Sequence, residues 1–169
     1  MPLIVGVSVV AAVLLLIWVS PKPAAPLPPP RRLANGTIIA GLHLDGNGTL
    51  EIDNGTANDA VIKVVDQRTH RALEACYILA ERKVSIGHVP DGEILVYFAS
   101  GSDFDSSLGG FTRDKGFSKF VDALAFTTEV LPTADGINTQ STTFTLTLHP
   151  VANGNAKTSA VDEAEFLRL

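Results

Sequence analysis

The side chains best suited to catalysis or metal binding are the histidines and the single cysteine. His43, His70, His88 and His149 are scattered along the chain, and no two of them stand at the spacing of a zinc signature. Cys76 lies inside an apolar run, where a free thiol is typically a small buried hydrophobe. The sequence contains no Gly-x-Ser-x-Gly elbow and no phosphate-binding loop. These patterns predict a protein that is not an enzyme, with no catalytic residue, no metal and no cofactor.

One segment resembles the start of a calcium loop. Residues 103–107 read Asp-Phe-Asp-Ser-Ser, and residues 45–49 repeat the spacing of their oxygen-bearing side chains. An EF-hand loop requires glycine at its sixth position and glutamate at its twelfth, whereas Leu108 and Asp114 stand there in the first segment. We therefore interpret both segments as ordinary Asp-rich turns.

Three Asn-Gly-Thr triplets, at Asn35, Asn47 and Asn54, satisfy the N-glycosylation sequon. The same triplets are explained by turn chemistry, because Asn-Gly is a preferred hairpin pair and threonine favours the strand that follows. Turns are the favoured interpretation, and glycosylation in a secretory host stays the alternative.

An aromatic segment offers the best candidate binding surface. Five of the eight phenylalanines fall within it and are interleaved with basic residues: Phe104, Phe111, Phe117, Phe120 and Phe126, with Arg113, Lys115 and Lys119. Exposed aromatic rings beside arginine are typical interface anchors. We take Phe104, Phe111, Arg113, Phe117 and Phe120 as candidate partner-binding residues; the alternative is a buried aromatic cluster beneath a long loop.

The elements that would position these residues begin with an apolar N-terminus. Residues 3–19 are almost purely apolar and span about 25 Å as a helix, close to the hydrocarbon thickness of a bilayer. No basic residue precedes them, which favours a retained anchor over a cleaved signal peptide. Residues 1–20 are therefore predicted to be a transmembrane helix in contact with lipid, and residues 21–34, rich in proline, an extended linker.

The remainder of the chain has the pattern of one β domain. Apolar and polar residues alternate at 49–53 and 143–148, which predicts half-buried antiparallel strands, while the runs 60–65, 73–79 and 94–99 are apolar on both faces. Asn-Gly and Asp-Gly pairs, which favour tight turns, separate such runs. The pattern predicts an all-β, antiparallel β-sandwich of about seven or eight strands over residues 35–150, followed by a C-terminal tail, residues 151–169.

Two short helices are predicted beside these strands. Apolar residues fall on one helical face between Phe117 and Leu124, and a second candidate runs from Ala160 to Leu167 behind Ser159 as its N-cap.

The charge of the domain excludes one class of partner. Residues 33–169 carry all 18 acidic but only 10 basic side chains, which argues against a nucleic-acid surface.

The segment Gly87–Gly101, with its Pro-Asp-Gly turn and aromatic strand, is similar to the closing hairpin of carboxypeptidase-regulatory-like and prealbumin-like sandwiches. The triplet at Asn54 and the strand Asp59-Ala-Val-Ile-Lys63 also resemble a bacterial envelope domain found behind single membrane helices. The resemblance implies a non-catalytic module that spaces, stiffens or binds in the cell envelope, with the domain outside the cytoplasm. The positive-inside rule points the other way, because Lys22, Arg31 and Arg32 all follow the apolar segment.

Together these features predict a non-enzymatic, single-pass membrane protein that acts as an interaction or accessory subunit of a membrane protein assembly, with a protein partner and no nucleic acid. The alternative is a module of the cell envelope that binds a small ligand or a carbohydrate. Sugar-binding faces usually expose tryptophan and tyrosine, and here Trp18 lies in the predicted anchor, which leaves Tyr77 and Tyr97.

Overall fold

Twelve β-strands and one short α-helix form in the part of the chain that the computed structural model describes, namely residues 27–41, 44–134, 136–149 and 156–169. The strands are β1 (Thr37–Gly41), β2 (Gly48–Asn54), β3 (Asp59–Asp66), β4 (Arg71–Ile78), β5 (Arg82–Val89), β6 (Gly92–Asp105), β7 (Gly110–Phe120), β8 (Leu124–Phe126), β9 (Thr128–Thr133), β10 (Gly136–Ser141), β11 (Thr143–Thr147) and β12 (Thr158–Ala160), and the helix is α1 (Glu163–Arg168). The predicted β class is confirmed, and the predicted seven or eight strands were too few.

These strands form three sheets. The largest contains seven strands in the order β1-β4-β3-β6-β7-β12, with β8 paired to the beginning of β6. A second sheet has the order β11-β2-β5, and β9 and β10 form a two-stranded hairpin of their own. Every pairing in the large sheet is antiparallel.

Both faces of the large sheet are covered. One face packs against the three-stranded sheet through a cluster that includes Ile62, Cys76, Val96, Leu50 and Leu146. The opposite face carries a second cluster, in which Val61, Tyr77 and Tyr97 pack with Phe166 of α1 and, at its margin, Leu33. This double burial is the physical reason that β3, β4 and β6 read as apolar on both faces.

The strand predicted over 143–148 forms as β11, but its orientation differs from the prediction. β11 pairs in parallel with β2, with Phe144 opposite Leu50 and Leu146 opposite Ile52. The expectation of antiparallel pairing was therefore wrong for this strand. Alternation of polar and apolar residues reports only which side chains face the core, and it is the same for both orientations.

The first predicted helix is absent and the second is shorter than expected. Residues 117–120 belong to β7, because Phe117 and Phe120 pair with β6 and β12 in an extended backbone. In the region of the second predicted helix, Ser159 lies in β12 and the helix begins only after Asp162. Phe166 is the buried residue of α1 and packs against the large sheet, so tertiary packing rather than helical periodicity fixes the position of the helix.

The segment Gly87–Gly101 is not a hairpin. β5 belongs to the three-stranded sheet and β6 to the large sheet, so the turn at Pro90 and Asp91 passes the chain from one sheet to the other. β6 also continues beyond Gly101 to Asp105.

Among the described residues no helix is long and apolar enough to cross a bilayer. The predicted anchor, residues 1–20, and the linker up to residue 26 lie outside the described residues.

Candidate functional site

The aromatic segment lies mainly in the interior. Phe104 and Phe111 are buried against Tyr77, with ring centroids 5.2 and 6.0 Å from the tyrosine ring. Phe120 is buried on the other face of the large sheet, 5.4 Å from Phe98. Phe117 is half-buried beside the ring of Phe166 on α1. Three of the four candidate rings are therefore buried, as in the buried-cluster alternative, although they lie in β6 and β7 and not beneath a long loop.

The basic residues of the segment are engaged within the chain. Lys115 pairs with Glu163 at 2.7 Å and Lys119 pairs with Glu165 at 3.6 Å, so both hold the acidic first turn of α1. Arg113 donates to the carbonyl oxygen of Pro28 at 3.2 Å. The segment thus binds two parts of its own chain, the C-terminal helix and the end of the linker.

A buried lysine adds to the attachment of α1. Lys63 lies in the middle of β3, and its Nζ donates to the carbonyl oxygen of Phe166 at 2.7 Å while lying 4.6 Å above the centre of the same ring. A cation at the carbonyl end of a helix is favourable. Burial nevertheless lowers the pKa of Lys63, because the charged ammonium loses water.

Two consecutive arginines, Arg31 and Arg32, attach the linker to the domain. Arg32 donates from Nε and Nη2 to the two carboxylate oxygens of Asp59, which is the bidentate geometry that arginine forms best. The same carboxylate accepts from Tyr77 Oη at 2.5 Å and from the backbone N–H of Ala80 at 2.8 Å. Burial would raise the pKa of Asp59, but these hydrogen bonds to its charged form outweigh burial and the pKa is lowered.

Arg31 binds the far end of β6. Its guanidinium donates to Asp103 and to Asp105, each at 3.0 Å, and its backbone pairs with that of Phe104. Asp103 also accepts from Thr112. Hydrogen bonds from Arg31 hold the pKa of Asp103 well below its usual range, and those from Ser107 lower the pKa of Asp105 to about 2.

We call these contacts of Arg31, Arg32 and Arg113 with Asp59, Asp103, Asp105 and Pro28 the arginine clamp. They explain the Asp-rich segment 103–107 without a bound cation, because its carboxylates are occupied by arginine and by turn N–H groups. They also define where the linker reaches the domain. Residues 28–33, the last part of the predicted linker, lie against the domain.

The β9–β10 hairpin is the most exposed element. Its strands pair only with each other among the described residues, and Val130 and Ile137 expose 60 % and 75 % of their surface. The register places Val130 opposite Thr139 and Ile137 opposite Pro132, so Val130, Pro132 and Ile137 share one face. An isolated two-stranded hairpin is only marginally stable in water. A partner that covered this exposed apolar face would therefore stabilise the hairpin.

The hairpin and the arginine clamp lie at opposite ends of β6. The base of the hairpin is fixed by Asp91, whose carboxylate accepts from the N–H and the hydroxyl of Thr128 at 3.1 and 2.8 Å, and by β8, which pairs with β6 at Gly92. The clamp binds Asp103 and Asp105 at the other end. An extended strand of 14 residues spans about 40 Å, so the two features attach at well-separated positions on the large sheet.

The described histidines occupy different elements. His70 lies in the β3–β4 turn, His88 near the end of β5, and His149 packs against Gly55, where an added Cβ would lie 2.4 Å from the imidazole. His43 lies outside the described residues. In the described part of the chain, no group of three or more His, Cys, Asp or Glu side chains is placed to hold a metal.

One of the sequon asparagines has a structural role. Asn54 is fully buried, and its amide donates to the carbonyl oxygens of Asn58 and Leu79 at 2.9 and 3.0 Å. A glycan on this nitrogen would replace one of its two N–H groups and so remove at least one of those bonds, and a fully buried side chain leaves no space for it. Asn35 likewise bonds to the backbone of Leu79 and Lys83, which supports the interpretation of these triplets as turns.

Sequence reasoning missed the arginine clamp, the exposed hairpin and two buried charges. Lys63 and Glu74 each stand alone as the charged residue within an apolar strand run, and both are about nine-tenths buried. A lone charge in an otherwise apolar run is the signal that could have identified them, since charged residues are rarely fully buried unless they are paired.

Comparison with protein-family models, with curated proteins and with solved structures gives no match to this chain.

Proposed function

We propose that this chain is a non-catalytic, single-pass membrane-anchored β-sandwich protein that acts as an interaction or accessory subunit of a membrane assembly, with its domain outside the cytoplasm. The observation that carries the proposal is the separation of the arginine clamp from the exposed hairpin along β6. The chain from an anchor at residues 1–20 would join the domain at the arginine clamp. The hairpin would then lie at the end of the domain that is distant from the membrane.

The clamp supports a role in holding the domain at a defined orientation. Bidentate arginine pairs resist rotation better than a flexible linker does, and Arg31 and Arg32 bind two different strands, β6 and β3. The chain between an anchor at residues 1–20 and the clamp would then be only the few residues before Pro28. A short polyproline spacer fixed at its domain end holds a binding surface at a restricted distance and angle.

The partner that fits the hairpin is a protein with an apolar patch bordered by lysine or arginine. Val130, Pro132 and Ile137 supply the apolar contact, and the charged residues of the hairpin sequence are Glu129 and Asp135, both acidic. Protein interfaces typically have an apolar core surrounded by a polar rim. A membrane-distal position argues for protein rather than lipid as the occupant.

The test is a mild-detergent pull-down of the tagged full chain from its native membrane. Ile137→Asp places a charge on the apolar face, and Leu108→Asp is the matched control, because Leu108 is 60 % exposed in the turn at the clamp end of the domain. We expect a stoichiometric partner to be lost with Ile137→Asp and retained with Leu108→Asp. Both variants should unfold within about 0.5 kcal/mol of the wild type. Identical partners with both variants, or no partner, would contradict the proposal.

A further inference from the structure

A cleft opens between the edges of the two packed sheets. Its walls are β1 and β4 of the large sheet on one side and β5 of the three-stranded sheet on the other, and its volume is about 410 Å³. Ligand sites in proteins usually occupy about 300 to 1,000 Å³. The cleft is therefore large enough for a small organic molecule.

Most of the lining is apolar. Leu44, Cys76 and Ile86 are buried at its floor, Val84 is half-buried, and Ile38 is largely exposed at its rim. Ile38 of β1 is the register partner of Cys76 and therefore lies on the inner face of the large sheet, yet it is largely exposed, so the inner face is incompletely covered at this edge. An apolar group that entered the cleft would complete the packing of that face.

One carboxylate lies in this apolar setting. Glu74 lines the cleft and is only 9 % exposed. It lies two residues before Cys76 in β4, and its strand partner Val64 belongs to the core cluster, so it is on the inner face. Burial raises the pKa of Glu74, because the charged carboxylate loses water.

The other buried charges of the described chain differ from Glu74 in having partners. Asp59 binds Arg32 and Tyr77, Asp103 binds Arg31 and Thr112, and Lys63 binds the carbonyl of Phe166. Within the described residues, Glu74 has no hydrogen-bond or ion-pair partner. Its carboxylate oxygens are not among the fully buried unpartnered atoms of the described chain, so they open on the cleft. A cation bound there would provide the charge partner that the carboxylate lacks among these residues.

We propose that this cleft binds a small organic cation, an ammonium compound with an apolar body, whose N–H groups donate to the Glu74 carboxylate while its body packs on Leu44 and Ile86. A divalent metal fits less well, because calcium and magnesium require several oxygen ligands and the described cleft supplies one carboxylate. Cys76 and His88 are the other titratable side chains that line it. This function is separate from the hairpin contact, since it uses β1, β4 and β5.

The test titrates the purified full chain in mild detergent with benzylammonium, followed by saturation-transfer NMR against a detergent blank. Benzyl alcohol is the neutral probe of nearly the same shape. The variant is Glu74→Gln, and the matched control is Glu93→Gln, which removes an exposed carboxylate from β6 outside the cleft. We expect saturable binding of benzylammonium that weakens about tenfold or more in Glu74→Gln and is unchanged in Glu93→Gln.

Three results would overturn the proposal: no saturable binding, equal binding of benzyl alcohol and benzylammonium, or unchanged binding in Glu74→Gln. Folding of the variants is checked by thermal unfolding. Glu74→Gln should unfold at the same temperature as the wild type or higher, because it removes a buried charge. If it fails to fold, Ile38→Trp provides the second test: it narrows the rim of the cleft at an exposed position and should reduce benzylammonium binding with Glu74 intact.

Discussion

Replacement of Arg32 by alanine tests whether the arginine clamp stabilises the domain. The carboxylate of Asp59 is 5 % exposed, whereas the side chain of Arg32 is 47 % exposed. Removal of one partner of a fully buried ion pair costs about 3–5 kcal/mol, and an exposed pair contributes about 0–1 kcal/mol. Because Arg32 is half in solvent, and because Tyr77 and Ala80 still bind Asp59, we expect a loss of about 2 kcal/mol.

The pH dependence of this loss distinguishes the ion pair from packing. The pKa of Asp59 is lower in the folded than in the unfolded chain, so its contribution is fully present above the unfolded pKa of about 4 and is lost as the pH falls toward the folded value. The difference between wild type and Arg32→Ala should therefore be constant between about pH 7 and pH 5 and should shrink below about pH 4.

The assay is thermal and urea unfolding of the full chain in mild detergent, followed by circular dichroism. For about 135 residues, a loss of 2 kcal/mol corresponds to a decrease in Tm of about 7 °C. Lys83→Ala is the control, because Lys83 is 78 % exposed and pairs with Asp53 at the surface; it should change Tm little. A loss in Arg32→Ala below about 0.5 kcal/mol at pH 7, or an equal loss at pH 3, would refute the reasoning.

Two further substitutions test the second hydrophobic cluster. Phe111→Ala removes a buried ring that contacts Tyr77 and Phe104, and it should lower the free energy of unfolding by about 3–5 kcal/mol; a urea titration that shows less than about 1 kcal/mol would place the ring at the surface. For Lys63, whose pKa is lowered by burial, stability should rise as the pH increases from the folded pKa toward 10.5. Lys63→Met should abolish that rise, and a rise that persists in the variant would assign it to another group.

The sequence predicted the course of most central strands correctly. β3, β4 and β6 were identified because apolar side chains must leave water wherever they lie on the sheet, and β2 and β11 because alternation reveals a half-buried strand. It did not predict which strands pair, and its antiparallel expectation was wrong for β11. The parallel partner of β11 is about 94 residues distant, and pairing over such a distance depends on the path of the whole chain.

The aromatic segment illustrates the same limit for the candidate site. Its composition, phenylalanine beside arginine and lysine, is shared by exposed interface anchors and by a cluster that binds other parts of its own chain. The structure decides between them by placing Arg113 on Pro28 and Lys115 on Glu163, 85 and 48 residues away. No local pattern contains that information.

By itself, the sequence determined the β class, the central strands, the acidic character of the domain and the apolar N-terminus, because each follows from local composition and the solubility of side chains. Only the tertiary structure decided that Phe104 and Phe111 are buried, that Arg31 and Arg32 clamp the linker, and that Glu74 faces a cleft while Val130 and Ile137 face solvent. The physical reason is that burial and charge pairing depend on which distant segments come together, and those contacts exist only in the folded chain.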